Sequence, residues 1–323
     1  MADRKIVVAT HGHCFDGLVS AALFTHLRRS IQPAVARFRY LSLGYGPAMP
    51  TVPENWLRGD ENAIIDFRFS PSDRLTWYFD HHPTGFASDE ERATALASSK
   101  RVFFDPSYAS CSKLIADVGR KTFSVDFQAY AELIGWADRI DSASFATVDD
   151  ALDRTEPVMQ LANVVEQHGQ GALLDKLIEQ LLREPVGEVA RSSEVQALWL
   201  PLAETHRLAR ERVAERAERQ GAVVYVDLHD APLGSSGKFY HYAVQPDAQY
   251  SVSLIRMKQH FKLSVGHNPW ASEPRRHDIA EICRRFGGGG HADVGAVSFA
   301  LDKLDEALRV AKVVVAKLNS EPA

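Results

Sequence analysis

Short apolar runs in this chain end, again and again, on acidic residues and histidines. Ile6-Val7-Val8-Ala9 leads into His11-Gly12-His13-Cys14-Phe15-Asp16-Gly17. Ala63-Ile64-Ile65 stops at Asp66, and Thr76-Trp77-Tyr78-Phe79 stops at Asp80-His81-His82. Runs this short, rich in β-branched and aromatic residues, predict buried strands of a parallel sheet. Residues 35–43 and Val102-Phe103-Phe104 predict two further strands. Val19, Ala22, Leu23, His26 and Leu27 recur at helical spacing after the first run, and Arg28 and Arg29 close that helix where positive charge suits its dipole. Residues 44–53 read as loop, and Asp60-Glu61-Asn62 and Ser70-Pro71-Ser72 as turns. Helices are predicted over 114–118, 129–137, 158–165 and 173–182. Carboxylates recurring at strand-to-loop junctions fit an open α/β sheet, whose ligands bind outside the carboxyl ends of its strands.

The texture changes in the second half. Residues 192–220 are dense in Ala, Leu, Glu and Arg and predict a helix, with Pro201 at a start, kink or break. Strands follow over 222–226, 240–244 and 250–255, then a helix over 278–286 begun by Asp278 and Glu281 as a weak capping box. Gly287 to Gly290 stop that helix; a strand over 294–299 and a helix over 304–318 complete the chain. The expected organisation is a parallel-sheet α/β domain over 1–190, a helical connector over 191–220, and a smaller α/β domain with a mixed sheet over 221–323.

A chain of 323 residues has room for two cores. The net charge of -5 argues against tight binding of long duplex DNA, while a local basic patch would suffice for a short oligonucleotide or small phosphate ester. Cys14, Cys111 and Cys283 are too scattered for a disulfide framework or a Cys-rich zinc site. The first apolar run is too short for a secretory signal, and no stretch approaches a membrane span, so a cytoplasmic protein is expected.

A lone aspartate at a strand end is most often a helix cap or turn residue. Two clusters of histidine and aspartate in one domain are harder to treat as packing, because each buried imidazole needs hydrogen-bond partners. A pair of divalent ions would account for so many carboxylates and imidazoles together. Oxygen and nitrogen donors without a thiolate set suit Mn²⁺, with Mg²⁺ or Co²⁺ as the other options. No nucleophile-elbow, Ser-x-x-Lys or P-loop string offers a rival catalytic plan.

Asp80-His81-His82, with Asp16, Asp66, Asp138 within Trp136-Ala137-Asp138-Arg139-Ile140-Asp141, and Phe286-Gly287-Gly288-Gly289-Gly290-His291 near the end, resembles the DHH family of phosphoesterases and the glycine-rich substrate-binding domain that accompanies many of them. The resemblance spans most of the chain and implies a two-domain architecture with the active site in the cleft between the domains. It implies that Asp66 bridges two metals, that Asp16, His81 and Asp138 complete one site, and that His11 and Cys14 complete the other. His82 would orient the phosphate, with Asp80 behind it or ligating in some metal states. The family places a carboxylate where Cys14 stands; the thiol could ligate, His13 could turn inward, or the first metal could be weak or absent. Asp105 and Asp141 are nearby acids with structural roles expected.

For the second domain the resemblance implies that Gly288, Gly289, Gly290 and His291 cradle a phosphate or carboxylate. Arg256 would neutralise charge and Asn268 would read a sugar or base. Trp270 and Phe261 could stack on a base, with packing the default. The implied activity is metal-dependent hydrolysis of short oligoribonucleotides or small nucleotide phosphodiesters by metal-bound hydroxide. The alternatives are an exopolyphosphatase- or pyrophosphatase-like phosphoanhydride hydrolase, and a non-catalytic nucleotide- or polyanion-binding regulatory protein. Expected partners are a small phosphorylated substrate or short single strand and, as an open option, a second copy in a homodimer; duplex DNA and membrane are not expected.

Overall fold

The computed structural model describes residues 4–32, 36–44, 51–98, 100–231 and 239–321. Val35 and residues 45–50 of the expected loop lie outside them, as does the side chain of His291. The chain divides into two compact units: Met1–Ser144 with Arg154–Trp199, and Phe145–Asp153 with Leu200–Ala323.

The first unit opens with strand β1 (Arg4–His11), helix α1 (Phe15–Ile31) and strand β2 (Ala36–Leu43). β3 (Glu61–Ile65), β4 (Trp77–Asp80), α2 (Asp89–Ala97), β5 (Arg101–Phe104), α3 (Cys111–Phe123) and α4 (Ala131–Asp141) follow. The five strands form one sheet in the order β2-β1-β3-β4-β5, parallel throughout. Ile6 to Ala9, Ala63 to Ile65 and Trp77 to Phe79 are almost wholly buried, which is why these strands read as unbroken apolar runs. α1 is buried from Phe15 to Thr25 and again at Leu27 and Arg28, because it lies under the sheet with α3 and α4 beside it.

α5 (Val148–Leu152) belongs to the second unit, whereas α6 (Pro157–His168), α7 (Gly171–Leu181) and α8 (Val186–Arg191) return to the first. α9 (Ser193–Arg216) carries Pro201 within it and contains the boundary between the units. The expected helix over 192–220 ends at Arg216; residues 217–220 form strand β6 (Ala217–Gln220). The second unit continues with β7 (Val223–Leu228), α10 (Tyr240–Val244), β8 (Tyr250–Arg256), β9 (His260–His267), α11 (Ile279–Arg284), β10 (Gly289–His291), β11 (Val294–Ala300) and α12 (Leu304–Asn319). Its six strands run in the order β10-β11-β9-β8-β7-β6, with β7 and β8 parallel and the other pairs antiparallel. The architecture is therefore two-domain α/β, with a parallel first sheet and a mixed second sheet. Among the described residues, no helix is long and apolar enough to cross a membrane.

One predicted strand is a helix. The alternation in residues 240–244 suggested a strand, but Phe239 enters the left-handed region at φ 69° and starts a single helical turn. That turn buries three consecutive side chains, and each finds a polar partner. Tyr240 Oη meets His206 Nδ1 at 2.5 Å, His241 Nε2 meets Ser253 Oγ at 2.5 Å, and Tyr242 Oη meets Ser251 Oγ at 2.9 Å.

Burial pushes His241 down to about 4. A histidine that stays neutral in the folded state costs stability wherever the unfolded chain can protonate it. Stability should thus be full above about pH 6.5, fall as the pH drops towards 4, and lose about 3 kcal/mol in all from this group. Urea unfolding of the chelated protein at pH 7 and pH 4 should show a smaller acid loss in His241→Gln than in the parent. Equal losses would assign the acid sensitivity elsewhere.

Candidate metal centre

The strand ends predicted to carry chemistry do meet. β1, β3 and β4 are adjacent and parallel, so the residues leaving their carboxyl ends emerge side by side. His11 closes β1, Asp66 follows β3 directly, and Asp80, His81 and His82 leave β4. Asp16 sits in the first turn of α1, with Cys14 as the residue before that helix, and Asp141 is the last residue of α4.

His81 Nε2 lies at the centre of this group, 3.3 Å from Asp141 Oδ2, 3.5 Å from Asp66 Oδ1 and 3.9 Å from Asp16 Oδ2. His81 Nδ1 is 3.0 Å from the Tyr108 carbonyl. Donation of Nδ1–H to that carbonyl leaves Nε2 to face the carboxylates. Asp66 Oδ2 is 3.4 Å from His11 Nδ1, and Asp66 Oδ1 is 3.7 Å from His82 Nδ1. His82 Nδ1 pairs more closely with Asp80 Oδ1, at 2.7 Å, while Tyr78 Oη donates to Asp80 Oδ2 at 2.9 Å. Asp80 is fully buried, so it orients His82 from beneath.

Asp16 is held by backbone. The amides of Cys111 and Ser112, at the start of α3, donate to Asp16 Oδ2 at 2.8 Å and Oδ1 at 3.1 Å. A helix N-terminus favours negative charge and fixes the carboxylate plane. Asp66 holds its place at φ 55°, a left-handed conformation that aspartate tolerates better than most residues, with its own amide donating to the Phe79 carbonyl at 2.9 Å.

Three sets of donors each lie within 4.8 Å of one another: His11, Cys14 and Asp66; Asp66, His81 and His82; Asp16, His81 and Asp141. Both Asp66 oxygens and His81 Nε2 are buried with no hydrogen-bond partner among the described residues. Buried carboxylates clustered in this way need positive charge to offset their desolvation. Without a metal that charge comes from the imidazoles. Burial works against protonation of His81, but Asp66, Asp16 and Asp141 push it up to about 10. Burial likewise favours a neutral Asp66, yet His11 and His81 outweigh it and hold the carboxyl below its usual range. Burial, reinforced by Asp66, pushes Asp141 up to about 6. Burial and then Asp66, Asp141 and Asp16 raise the Cys14 thiol. Oxygen and imidazole donors with unsatisfied buried lone pairs fit a divalent cation.

Of the expected metal ligands, His11, Cys14, Asp16, Asp66 and His81 converge. The Asp138 carboxylate instead engages the Ser110 hydroxyl and lies 3.2 Å from Lys113 Nζ. Asp141, one helical turn later, occupies the place facing His81. The two are three residues apart on α4; Asp138 is taken by Ser110 and Lys113 of the α3 start, and Asp141 is the one that reaches His81. His13 turns outward, with Nδ1 3.0 Å from the Glu166 carbonyl, and Asp105 is half-buried and accepts from the amide and hydroxyl of Ser107.

In the second unit, the glycine run begins as a helix stop. Gly287 N–H donates to the Arg284 carbonyl and Gly288 N–H to the Cys283 carbonyl, with Gly287 at φ 76°. This is the Schellman arrangement. Gly289 and Gly290 then enter β10 opposite Ala296 and Gly295. A side chain at Gly290 would be strained at φ 147° and would meet the Val294 carbonyl at 2.2 Å. Arg256 is exposed at the end of β8. Asn268 is buried and committed to structure: its amide donates to the Pro246 and Ala248 carbonyls, and its oxygen accepts from Trp270 N. Phe261 and Trp270 pack within the two cores of this unit.

No family model and no curated protein matches the chain. Solved structures do. The pGpG-specific phosphodiesterase PggH from Vibrio cholerae superposes with a TM-score of 0.69 at 20% identity, covering 99% of this chain and 100% of that one. The DHH domain of a protein described as a member of a ribosomal protein family gives 0.66 at 15% identity, covering 98% and 88%. The fold is that of the DHH phosphoesterases. RecJ from Thermus thermophilus, in complex with Mn²⁺, shares it at a TM-score of 0.61 and 11% identity, covering 99% of this chain and 53% of that one. This chain thus spans about half the length of that RecJ. In the DHH fold as this chain builds it, the triplet Asp80-His81-His82 leaves the fourth strand and the glycine run follows α11.

Proposed function

We propose that the protein is a metal-dependent phosphohydrolase acting on short oligoribonucleotides or small nucleotide phosphodiesters. The observation that carries the reading is the convergence of His11, Asp16, Asp66, His81 and Asp141 at the carboxyl edge of a parallel sheet, with Asp66 and His81 presenting buried lone pairs into the cluster. The likeness over full length to a pGpG-specific phosphodiesterase favours a phosphodiester over a phosphoanhydride.

Asp66, with one oxygen facing His11 and the other facing His81 and His82, would be shared between neighbouring metal positions, whereas His81 has only its Nε2 lone pair to offer and would serve one of them. Divalent ions bound there would acidify a water and neutralise charge developing on the phosphoryl group. The chain's own residues supply the rest. The α3 amides fix Asp16, the Tyr108 carbonyl fixes the His81 ring, and Asp80 fixes His82. Against the effect of burial, Asp80 and Asp66 raise His82 towards the imidazolium form, whose outer nitrogen would donate to a phosphoryl oxygen. Arg256 and the backbone of Gly288 to Gly290 are the proposed contacts to a terminal phosphate in the second unit.

The test is a product-resolved panel of linear dinucleotides, cyclic dinucleotides, 3′-phosphoadenosine 5′-phosphate and short polyphosphate, each with Mn²⁺ and with chelator. Nucleoside monophosphate from a linear dinucleotide, abolished by chelator, is the expected result. Orthophosphate from polyphosphate alone would move the assignment to phosphoanhydrides. Tight nucleotide binding without any metal-dependent product would make the protein a non-catalytic binder.

A further inference from the structure

The three donor sets are not chemically equal. Two contain only carboxylate oxygen and imidazole nitrogen; the third, made by His11, Cys14 and Asp66, contains sulfur. Cys14 is the residue before α1, has an extended backbone at φ -127° and ψ 133°, and makes no capping hydrogen bond with its side chain. Its Sγ lies within 4.8 Å of a nitrogen of His11 and an oxygen of Asp66. Asp66 is 1% exposed, and neither of its carboxylate oxygens has a hydrogen-bond partner among the described residues. A lone half-buried cysteine would carry no argument by itself. Here a buried carboxylate with unsatisfied oxygens lies beside it.

We infer that His11, Cys14 and Asp66 form a thiolate-containing seat for a borderline-soft divalent ion such as Zn²⁺, Fe²⁺ or Co²⁺, with a metal preference different from that of the Asp16, His81 and Asp141 seat. The inference rests on the metal-centre reading above and concerns which ion each position takes. Thiolate ligands favour soft and borderline ions and offer little to Mg²⁺, whereas carboxylate and imidazole sets accept harder ions such as Mn²⁺. Ligation exchanges the thiol proton for the metal, and that proton passes to solvent. The two positions would then hold different ions when both kinds are offered.

The experiment is anaerobic titration of the chelator-stripped full-length protein with Co²⁺, following the near-ultraviolet thiolate-to-Co²⁺ charge-transfer band alongside bound-metal stoichiometry. The parent should develop the band. Cys14→Ser and Cys14→Asp should lose it, and Cys14→Asp should still bind Co²⁺ with unchanged far-ultraviolet circular dichroism. Competition between Zn²⁺ and Mn²⁺ should shift towards Mn²⁺ in Cys14→Asp by on the order of tenfold. Co²⁺ bound by the parent without the band, or a band that persists in both variants, would overturn the inference while leaving the metal centre standing. Failure of the parent to bind any divalent ion would remove both. Neither readout needs turnover, so an inactive protein that passes it would sink only the proposed hydrolysis.

Discussion

Asp66→Asn should abolish turnover, lowering kcat/KM by about 10³-fold or more. Asp66 faces His11 on one side and His81 and His82 on the other, so its loss weakens two donor sets at once. Several kcal/mol of transition-state stabilisation depend on the ions held there, which sets the magnitude. The same variant should lose the stabilisation that divalent ions give the parent. At a free concentration near a hundred times Kd that stabilisation is about 2.7 kcal/mol, or about 5–10 °C in Tm for a unit of this size. Differential scanning measurements with Mn²⁺ and with chelator would show it. The left-handed backbone at Asp66 adds a control. Asp66→Gly relieves the strain that Asp66→Ala keeps, so the glycine variant should be the more stable by about 1 kcal/mol while both are inactive. Retention of turnover in either variant would place the chemistry elsewhere.

Gly17→Ala should damage the centre without touching a ligand. A Cβ at this position would lie 2.0 Å from the carbonyl oxygen of His11 and 3.1 Å from the His11 Cβ. The obstacle is backbone at the end of β1, and it cannot rotate away. α1 cannot retreat either, since most of its first three turns are buried and the Gly17 carbonyl accepts from Thr10 Oγ1 at 2.7 Å. Overpacking of this kind costs about 1–3 kcal/mol, and a shift near 1 Å in Asp16 and His11 costs about 10²-fold in rate. Gly135→Ala is the contrast, because a Cβ there meets nothing within 4 Å and lies inside α4. It should be neutral or stabilising by up to about 1 kcal/mol. Chemical denaturation and turnover measured on both variants would separate the two cases; equal behaviour would mean the β1–α1 junction is not under the constraint described.

The parallel sheet was legible because burial on both faces leaves continuous apolar runs, and because the acidic and imidazole residues sit directly after them. The meeting of His11, Cys14, Asp16, Asp66 and His81 was legible for the same reason. Asp141 was not. It and Asp138 share a short helix, and the choice between them depends on how α4 passes the strand ends, a packing outcome with no local signature. The α3 amides that hold Asp16 were invisible for a related reason, since backbone N–H groups are present at every non-proline residue. In the second unit, β9 carries a plain period-2 signal, with Phe261, Leu263 and Val265 buried between half-buried Lys262, Ser264 and Gly266, so this strand was legible although it is missing from the expected elements. Residues 240–244 misled because two tyrosines spaced by one look like a strand face, while the left-handed Phe239 turns them into a helix.

Overlap among the three donor sets has an outcome for occupancy. Because Asp66 serves two sets through its two oxygens, and His81 can give its one free lone pair to only one of its two sets at a time, the seats cannot fill as independent vessels. The arrival of one cation draws on the charge and posture of a side chain that the next must also use. Whatever the first does to the second's affinity, the second must do to the first in equal measure. Loading curves for this protein should accordingly be stepped or steepened, and the departure from simple saturation should vanish when the common carboxylate is removed.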